Sequence, residues 1–249
     1  YHHFIPLFRG DEFNAEERAQ LFYLSGARFA GPVAEHHDGY AMWDSDVTPW
    51  NAKDTGPCRD IVGELADSIR KKGLKFITTF HHARMGKAPN DSNDRDKRKW
   101  YYYGRERYFE RTDPAYEDSD ELAKLYGSIS WDYFLQMWNE KLVEVIEKYR
   151  PDLIWFDSWL DRIPQKNRIE FVDAYLKAAT KWKKPVVITY KQNDLPQNVG
   201  IVDFEKGRLD RLTEYTWLTD DTISAGLWTE TGSWSYTEEL DIKSSRELI

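Results

Sequence analysis

Segments that predict strands alternate with segments that predict helices along the whole chain, and this alternation most limits its fold. Short β-branched and aromatic runs predict strands at about 28–34, 74–80, 152–156, 184–190 and 200–204. Periodic apolar residues predict helices that begin near Asn14 and extend over about 58–72, 119–149 and 166–183. Such alternation favours parallel strands joined by crossover helices.

The predicted strands end on polar side chains. In chain order these are Glu35, His36, His37, Asp38; His81, His82; Asp157; Tyr190, Lys191; and Asp203, Glu205. In a (β/α)8 barrel the active site lies at the C-terminal ends of the strands. A doubly wound sheet also places ligands there, but no glycine-rich phosphate loop follows any of these strands. The pattern therefore favours an α/β fold of the (β/α)8 TIM-barrel type.

Residues 1–249 are interpreted as one catalytic barrel domain that is truncated at both ends. The chain opens on a connection into a helix and closes inside the predicted helix YTEELDIKSSRELI, with no repeat and no long linker. About six strands are counted, against the eight of a closed barrel. We therefore expect the first and last strands of the barrel to be missing from this chain.

Composition argues against several classes of function. The formal net charge of -8 and the pI of about 5.4 argue against nucleic-acid binding, which requires a basic face. No apolar run approaches the roughly 18 residues of a membrane span. The single cysteine, Cys58, excludes a disulfide within the chain and a cysteine-based metal cluster. Its position predicts a buried or capping thiol at the start of a helix.

Asp157 follows the apolar strand LIWF and has Trp155, Phe156 and Trp159 as neighbours in sequence. A carboxylate after a strand often caps a helix or forms a structural ion pair. Here, aromatic walls can hold the carboxylate in a partly dry pocket and orient a sugar ring. Glycoside hydrolysis needs a second carboxyl group across the bond. Glu205 is the best candidate, followed by Glu214, Glu230 and Glu35.

Four of the six histidines form adjacent pairs at strand ends, His36–His37 and His81–His82. Neighbouring residues on a strand point to opposite faces, so one histidine of each pair can enter the site while the other packs behind it. With Asp38 and Asp157 these imidazoles could assemble a His2Asp2 metal site. A neutral imidazole can instead hydrogen-bond a sugar hydroxyl without any metal. We predict no metal at this site.

Two further features have a structural and a functional interpretation. The basic run RDKRK at 95–99 predicts a solvated surface, and its sharper interpretation is a subsite for an anionic, sulfated glycan. Trp43 is interpreted equally well as a core residue or as a sugar platform. Trp100 is expected to be structural.

These stretches resemble the α-L-fucosidases of glycoside hydrolase family 29. AGPVAEHHDGYAMWDS is similar to the HHDG region of the family, and YRPDLIWFDS to the strand that carries its nucleophile. FEKGR, YTWLTDDTISAGLW and GSWSYTEE are similar to a later family block. The resemblance covers nearly all of 1–249. It implies a retaining exo-glycosidase without a cofactor, secreted or periplasmic, that removes terminal α-L-fucosyl residues from fucosylated or fucan-type glycans.

The resemblance also implies roles for individual residues. Asp157 is the expected nucleophile, while Glu205 is the candidate acid/base and Glu214 the reserve. The expected substrate-binding residues are His36, His37, Trp43, His81, His82, Lys206 and Trp217. Lys206 replaces the usual arginine of the family. Leu218 follows Trp217, where several members carry the acid/base glutamate.

Two other functions stay open at this point. The first is a metal-dependent hydrolase on the same barrel, with histidine and aspartate ligands. The second is a non-catalytic barrel that binds fucose or another glycan. It is suggested because the HWG strand and EWY loop of the family, which contribute sugar contacts, are absent from these residues.

Overall fold

The computed structural model describes residues 2–86, 88, 120–127, 129–157, 159–224 and 243. The helices are α1 (Ala15–Leu24), α2 (Ile61–Lys71), α3 (Asp120–Tyr126), α4 (Trp131–Tyr149) and α5 (Gln165–Trp182). The strands are β1 (Phe29–Ala30), β2 (Val33–Glu35), β3 (Lys75–Phe80), β4 (Leu153–Phe156), β5 (Val187–Lys191), β6 (Ile201–Glu205) and β7 (Trp217–Asp220). Short 3-10 helices occupy His2–Leu7, His82–Arg84 and Leu160–Arg162.

The seven strands of the described residues form one parallel sheet. Their order is β1-β3-β4-β5-β6-β7, and β2 also pairs with β3. Because every strand pair is parallel, the C-terminal ends of the strands meet at one edge. The sheet curls into a half-barrel with helices packed against it. The predicted α/β barrel is therefore confirmed as a partial barrel, and the single domain over 1–249 stays a prediction.

The first predicted strand consists of two pieces, β1 and β2, which pair in succession with β3. Phe29 is aligned with Lys75, and Val33 with Thr79. The break lies at Gly31, where an added Cβ would be 1.7 Å from the carbonyl oxygen of Ile77. Only glycine permits such a close approach of two backbones.

Aromatic side chains join the helix layer to the sheet. Trp138 of α4, Phe156 of β4 and Phe171 of α5 lie with ring centroids 5.1–6.3 Å apart. All three are at most 1% exposed. Burial of each ring contributes on the order of 2–3 kcal/mol. This cluster fixes α4 and α5 behind β4, the strand that leads to Asp157.

The apolar periodicity of α1 and α5 predicts that Leu21, Leu24 and Ile169 face the core, but all three side chains are exposed. In α1, Leu21 and Leu24 were expected in the core but are 56% and 71% exposed, while the small Ala19 is buried. In α5, Ile169 is 57% exposed and the larger Phe171 is buried. In α1 the small alanine permits close packing, so its side of the helix is buried. In α5 the aromatic ring buries more area, so its side of the helix faces the core.

Cys58 is exposed and precedes α2 in a left-handed conformation with φ of 52°. The prediction of a buried or capping thiol is therefore wrong. Asp60 occupies the N-cap of α2, where its Oδ1 accepts a hydrogen bond of 2.8 Å from the Gly63 backbone N–H. A carboxylate satisfies the free N–H groups of a helix start better than a thiol.

Several predicted features lie outside the described residues, namely the basic run at 95–99, Trp100, Glu230 and the predicted helix at the C-terminal end. The predicted helix at 119–149 is divided into α3 and α4, with Ser130 as the N-cap of α4. Of the helices that are described, none has both the length and the apolar character of a membrane span.

A buried ion pair joins the end of β2 to α4. Lys141 Nζ lies 2.8 Å from Glu35 Oε1, and the two side chains are 1% and 0% exposed. Burial raises the pKa of Glu35, and the charge of Lys141 opposes that rise. The backbone carbonyl of Glu35 also accepts a hydrogen bond of 3.0 Å from the His81 N–H. Glu35 is thus a structural residue and not an acid that faces a substrate.

We expect Lys141→Met to lower the free energy of unfolding by about 3–5 kcal/mol, because it leaves Glu35 buried without its partner. Urea denaturation followed by circular dichroism measures the change. The matched control is Lys177→Met, since Lys177 pairs with Asp173 at 2.7 Å on the surface, with side chains 76% and 56% exposed. That control should shift stability by less than about 1 kcal/mol. Equal losses in the two variants would contradict a structural role for the buried pair.

Candidate active site

The side chains of His81 and His82 point to opposite sides of the sheet, as the alternation along β3 predicts. His81 Nδ1 lies 3.2 Å from Asp157 Oδ2, inside the half-barrel. His82 is 1% exposed and its ring stacks on Trp138 of α4 at a centroid distance of 5.6 Å. His81 therefore belongs to the site. The expectation that His82 contacts a substrate is corrected, because its ring is buried in the helix layer.

His36 and His37 both approach Asp157, since the chain leaves the extended conformation after β2 and the two-residue alternation no longer applies. The His36 ring stacks on His81 at a centroid distance of 4.1 Å. His37 Nδ1 lies 2.7 Å from the His81 carbonyl oxygen, so Nδ1 carries the proton that is donated. The other nitrogen, Nε2, lies 3.8 Å from Asp157 Oδ2.

Burial keeps these imidazoles uncharged. Desolvation, with smaller contributions from neighbouring His81 and Arg84, lowers the pKa of His36 to about 4. Desolvation, followed by the effect of His36, lowers the pKa of His37 to about 3. At neutral pH both rings are therefore neutral, and each can donate one hydrogen bond and accept another. Such groups suit the hydroxyls of a neutral ligand.

The ammonium group of Lys191 joins three carboxylates at the C-terminal edge of the sheet. Its Nζ lies 3.5 Å from Asp157 Oδ1, 2.8 Å from Glu205 Oε2 and 3.2 Å from Asp220 Oδ2. In a flat sheet the ends of β4 and β7 would be roughly 14 Å apart, because three strand spacings of about 4.8 Å separate them. One side chain contacts both ends because the sheet curls around it.

Trp155 forms an inner wall between the histidines and β6. Its Nε1 donates a hydrogen bond of 2.5 Å to Asp203 Oδ2. Its ring centroid lies 5.4 Å from that of His81 and 5.0 Å from Lys191 Nζ. Asp203 itself is 2% exposed. Burial first, and then the neighbouring Asp220, raise the pKa of Asp203 well above its usual range.

Asp194, in the loop after β5, holds the segment that follows Asp157. Its Oδ2 accepts a hydrogen bond of 3.0 Å from the Leu160 backbone N–H. Burial raises the pKa of Asp194 to about 6. In the same segment Trp159 has a φ of 80°, and the Arg84 guanidinium lies 5.3 Å from its ring centroid. These contacts fix the loop next to Asp157.

Trp43 lies in the core, and its expected role as a sugar platform is corrected. The side chain is 0% exposed, so it offers no ring face to a ligand. Its Nε1 donates a hydrogen bond of 2.7 Å to Glu144 Oε2 on α4. A buried indole with a satisfied N–H is typical of a core tryptophan.

The other predicted residues lie on β6, on β7 or between them. Lys206 is half-buried, and its backbone N–H donates a hydrogen bond of 2.9 Å to the Asp220 carbonyl. Trp217 begins β7 and packs edge-on against Phe204 at a centroid distance of 5.7 Å. Glu214 is exposed. Lys191 contacts both Glu205 and Asp157, whereas Glu214 is not among its ion-pair partners in the described residues.

Sequence reasoning missed the roles of Lys191, Asp203, Asp194 and Asp220. The first two were recognised only as polar strand ends. Asp220 was overlooked because the short segment WLTD was not predicted to be a strand. The signal that could have found it is the polar end of that segment, the same signal that singled out Asp157.

Three of the described imidazoles could hold a metal ion. One ligand nitrogen from each of His36, His37 and His81 lies within 4.8 Å of the others. Asp38, which was considered as a ligand, is not in this group, and its Oδ1 accepts a hydrogen bond of 2.9 Å from the Tyr40 N–H.

The sequence model of the Alpha-L-fucosidase family matches residues 1–249. The chain belongs to the α-L-fucosidase family. Tissue alpha-L-fucosidase of Rattus norvegicus is 27% identical over 249 residues, which cover 98% of this chain and 46% of that protein. This chain thus spans about half the length of the curated relatives that it matches.

Solved α-L-fucosidases share the fold. Alpha-L-fucosidase isoenzyme 1 from Paenibacillus thiaminolyticus has a TM-score of 0.68 at 18% identity, covering 100% of this chain and 56% of its own. A Thermotoga maritima alpha-fucosidase in complex with a mechanism based inhibitor has a TM-score of 0.63 at 21% identity, covering 90% and 44%. At these identities the similarity establishes the fold.

The neutral histidines predict a loss of stability in acid. An unfolded histidine has a pKa of about 6.5, above the folded values of about 4 for His36 and 3 for His37. Between these values the unfolded state binds more protons, so the free energy of unfolding rises with pH and falls as pH drops below 6.5.

Together the two histidines should contribute a fall of on the order of 2–4 kcal/mol in the free energy of unfolding between pH 7 and pH 5. Asp203 and Asp194, whose pKa values are raised, contribute in the opposite direction, so urea titrations at each pH must compare a histidine variant with the unmodified protein. His37→Gln removes one titrating ring and keeps a donor for the His81 carbonyl. Between pH 7 and pH 5 its free energy of unfolding should change by about 2 kcal/mol relative to the unmodified protein, in the direction of greater stability in acid, whatever its absolute stability. Parallel curves for the variant and the unmodified protein would contradict this explanation.

Proposed function

We propose that this chain carries the catalytic site of a retaining α-L-fucosidase, which hydrolyses terminal α-L-fucosyl residues of fucosylated or fucan-type glycans. The observation that supports this most directly is the placement of Asp157. Its side chain is 15% exposed at the C-terminal end of β4, between the imidazole of His81 and the ammonium group of Lys191. Membership of the α-L-fucosidase family supports the choice of sugar. The secreted or periplasmic location belongs to the same proposal.

Asp157 is the nucleophile in this proposal. An attacking carboxylate must be ionised, and the Lys191 ammonium at 3.5 Å favours the ionised form. His81 Nδ1 lies 3.2 Å from Oδ2, next to the carboxylate on the histidine side of the site. The oxygen that bonds to the anomeric carbon is thereby held at the open edge of the sheet. The product of this step is a covalent fucosyl-enzyme.

The second carboxyl group, which protonates the leaving oxygen and later activates water, comes from the cluster around Lys191. Glu205, the residue predicted from the sequence, meets the distance requirement. It lies 2.8 Å from the same ammonium group that lies 3.5 Å from Asp157. Retaining enzymes hold the two groups about 5–5.5 Å apart, a separation that these two distances permit. Glu214 lacks this contact.

Sugar recognition falls to the imidazoles around the nucleophile. His36, His37 and His81 offer donors and acceptors that match hydroxyl groups. Trp155 borders the same space with its ring, which suits the apolar face of a sugar. A charged imidazole would bind water strongly, and that water would compete with a neutral sugar for the site. The lowered pKa values of His36 and His37 remove that competition.

We expect Asp157→Asn, in the full-length protein that contains this chain, to lower kcat for 4-nitrophenyl α-L-fucoside roughly a thousandfold or more, because the amide cannot form the glycosyl ester. Release of nitrophenol measures the rate. The control is Asp173→Asn, an exposed aspartate on α5 that should leave the rate unchanged. A 2-fluorofucosyl inhibitor should add its mass to the peptide that contains Asp157. An Asp157→Asn protein with most of its activity would refute the assignment.

The three clustered imidazoles favour a metal-dependent hydrolase as the second candidate. In that case removal of divalent ions with EDTA abolishes activity, and added zinc restores it. Under the fucosidase proposal the EDTA-treated protein, shown by elemental analysis to contain no metal, hydrolyses the fucoside at its full rate. The two outcomes exclude each other in a single assay.

A further inference from the structure

We propose that Asp220, paired with Asp203, is the general acid/base of this site. This inference rests on the proposed fucosidase function and identifies the group that supplies its proton. Asp220 ends β7, and its side chain is 23% exposed, so it can reach a bound substrate. Asp203 is 2% exposed and lies on β6, the strand that pairs with β7. It acts through its neighbour, as a positioning residue.

The charge of the cluster requires a bound proton. Four carboxyl groups surround a single ammonium group, that of Lys191, whose side chain is 4% exposed. The four are Asp157, Asp203, Glu205 and Asp220. If all were ionised, three negative charges would be uncompensated by Lys191 in a partly dry pocket. Carboxylates that share such a site do not all ionise, and one of them keeps its proton.

The hydrogen bonding indicates where this proton is held. Asp203 Oδ1 and Asp220 Oδ1 are both buried, and neither has a hydrogen-bond partner by distance and angle among the described residues. Asp203 and Asp220 lie at the adjoining ends of the paired strands β6 and β7. A proton shared by two such carboxyl groups removes the repulsion between ionised oxygens. The raised pKa of Asp203, caused by burial and by Asp220, agrees with a shared proton.

The other two carboxylates have different roles in this proposal. Glu205 Oε2 lies 2.8 Å from Lys191 Nζ, the shortest of the three carboxylate contacts of this ammonium group. Asp157 lies 3.5 Å from the same nitrogen and must be ionised to attack. Glu205 thus helps to hold Lys191 in place, while the carboxyl pair carries the proton.

The distances allow Asp220 to act opposite Asp157. Asp220 Oδ2 lies 3.2 Å from Lys191 Nζ, and Asp157 Oδ1 lies 3.5 Å from it. The two oxygens are therefore no further apart than these two distances laid end to end. That limit admits the separation of about 5–5.5 Å found in retaining glycosidases.

Bonds and protons balance in each of the two displacement steps. In the first, an Asp157 oxygen bonds to the anomeric carbon, the bond from that carbon to the leaving oxygen breaks, and Asp220 gives its proton to the leaving oxygen. In the second, a water oxygen bonds to the same carbon, the bond to Asp157 breaks, and the proton of that water passes to Asp220. Asp203 shares the proton between turnovers.

The test compares two substrates in the full-length protein that contains this chain. One is a fucosyl disaccharide, whose leaving alcohol needs a proton, and the other is 2-chloro-4-nitrophenyl α-L-fucoside, whose leaving phenolate does not. We expect Asp220→Asn to lower kcat/KM for the disaccharide about a hundred- to ten-thousandfold. For the aryl fucoside we expect a loss of less than about tenfold. Azide should restore turnover of the aryl fucoside in Asp220→Gly and give fucosyl azide.

Asp203→Asn tests the pairing through the pH profile. The variant removes a carboxyl group that disfavours a second negative charge nearby, so we expect the alkaline limb of kcat/KM to move to lower pH. The other groups that face the pair are Lys191 of β5, Glu205 of β6 and the Trp155 N–H of β4. All three are unchanged in this variant. Asp173→Asn, which is remote from the pair, should keep the original profile.

Three results would overturn the proposal. The first is an equal loss of kcat/KM on both substrates in a folded Asp220→Asn protein, which would indicate a structural role for Asp220. The second is a leaving-group-dependent loss in Glu205→Gln that Asp220→Asn lacks, which assigns the proton to Glu205. The third is an unmoved alkaline limb in Asp203→Asn. Full activity of Asp157→Asn on both substrates is a separate outcome, since it refutes the fucosidase function itself.

Discussion

The ion contacts of Lys191 hold the site together. One buried ammonium group binds carboxylates from β4, β6 and β7, strands that a flat sheet would keep well apart. These side chains can converge on one ammonium group because the sheet curls. Removing this charge would leave like charges facing one another, and the arrangement of nucleophile and proton donor would no longer be stable.

Much of the fold and part of the site could be predicted from the sequence. The alternation of strands and helices indicated parallel strands, and the polar strand ends correctly placed Asp157, His81 and Glu205 at one edge of the sheet. The two-residue alternation along β3 also predicted that His81 and His82 separate. These predictions succeeded because they depend on backbone geometry, which local sequence determines.

The remaining features depend on packing between distant segments. Trp43 has the residue type of a sugar platform, but the carboxylate of Glu144, about a hundred positions later, makes it a core residue. The role of Asp220 depends on the pairing of β7 with β6, which the four-residue segment WLTD alone does not reveal. Residue type indicates the chemistry that a side chain can perform, whereas tertiary contacts decide whether it is exposed to perform it.

Glu35 ties the histidine side of the pocket to the helices, because its carbonyl holds the His81 N–H and its carboxylate holds Lys141. The opposite side consists of Glu205 and Asp220, whose side chains are 31% and 23% exposed. One wall is thus anchored in the protein interior, and the other borders solvent. If the proposed fucosidase function holds, discrimination between sugars belongs to the anchored wall, and tolerance of different aglycones belongs to the solvent-facing wall.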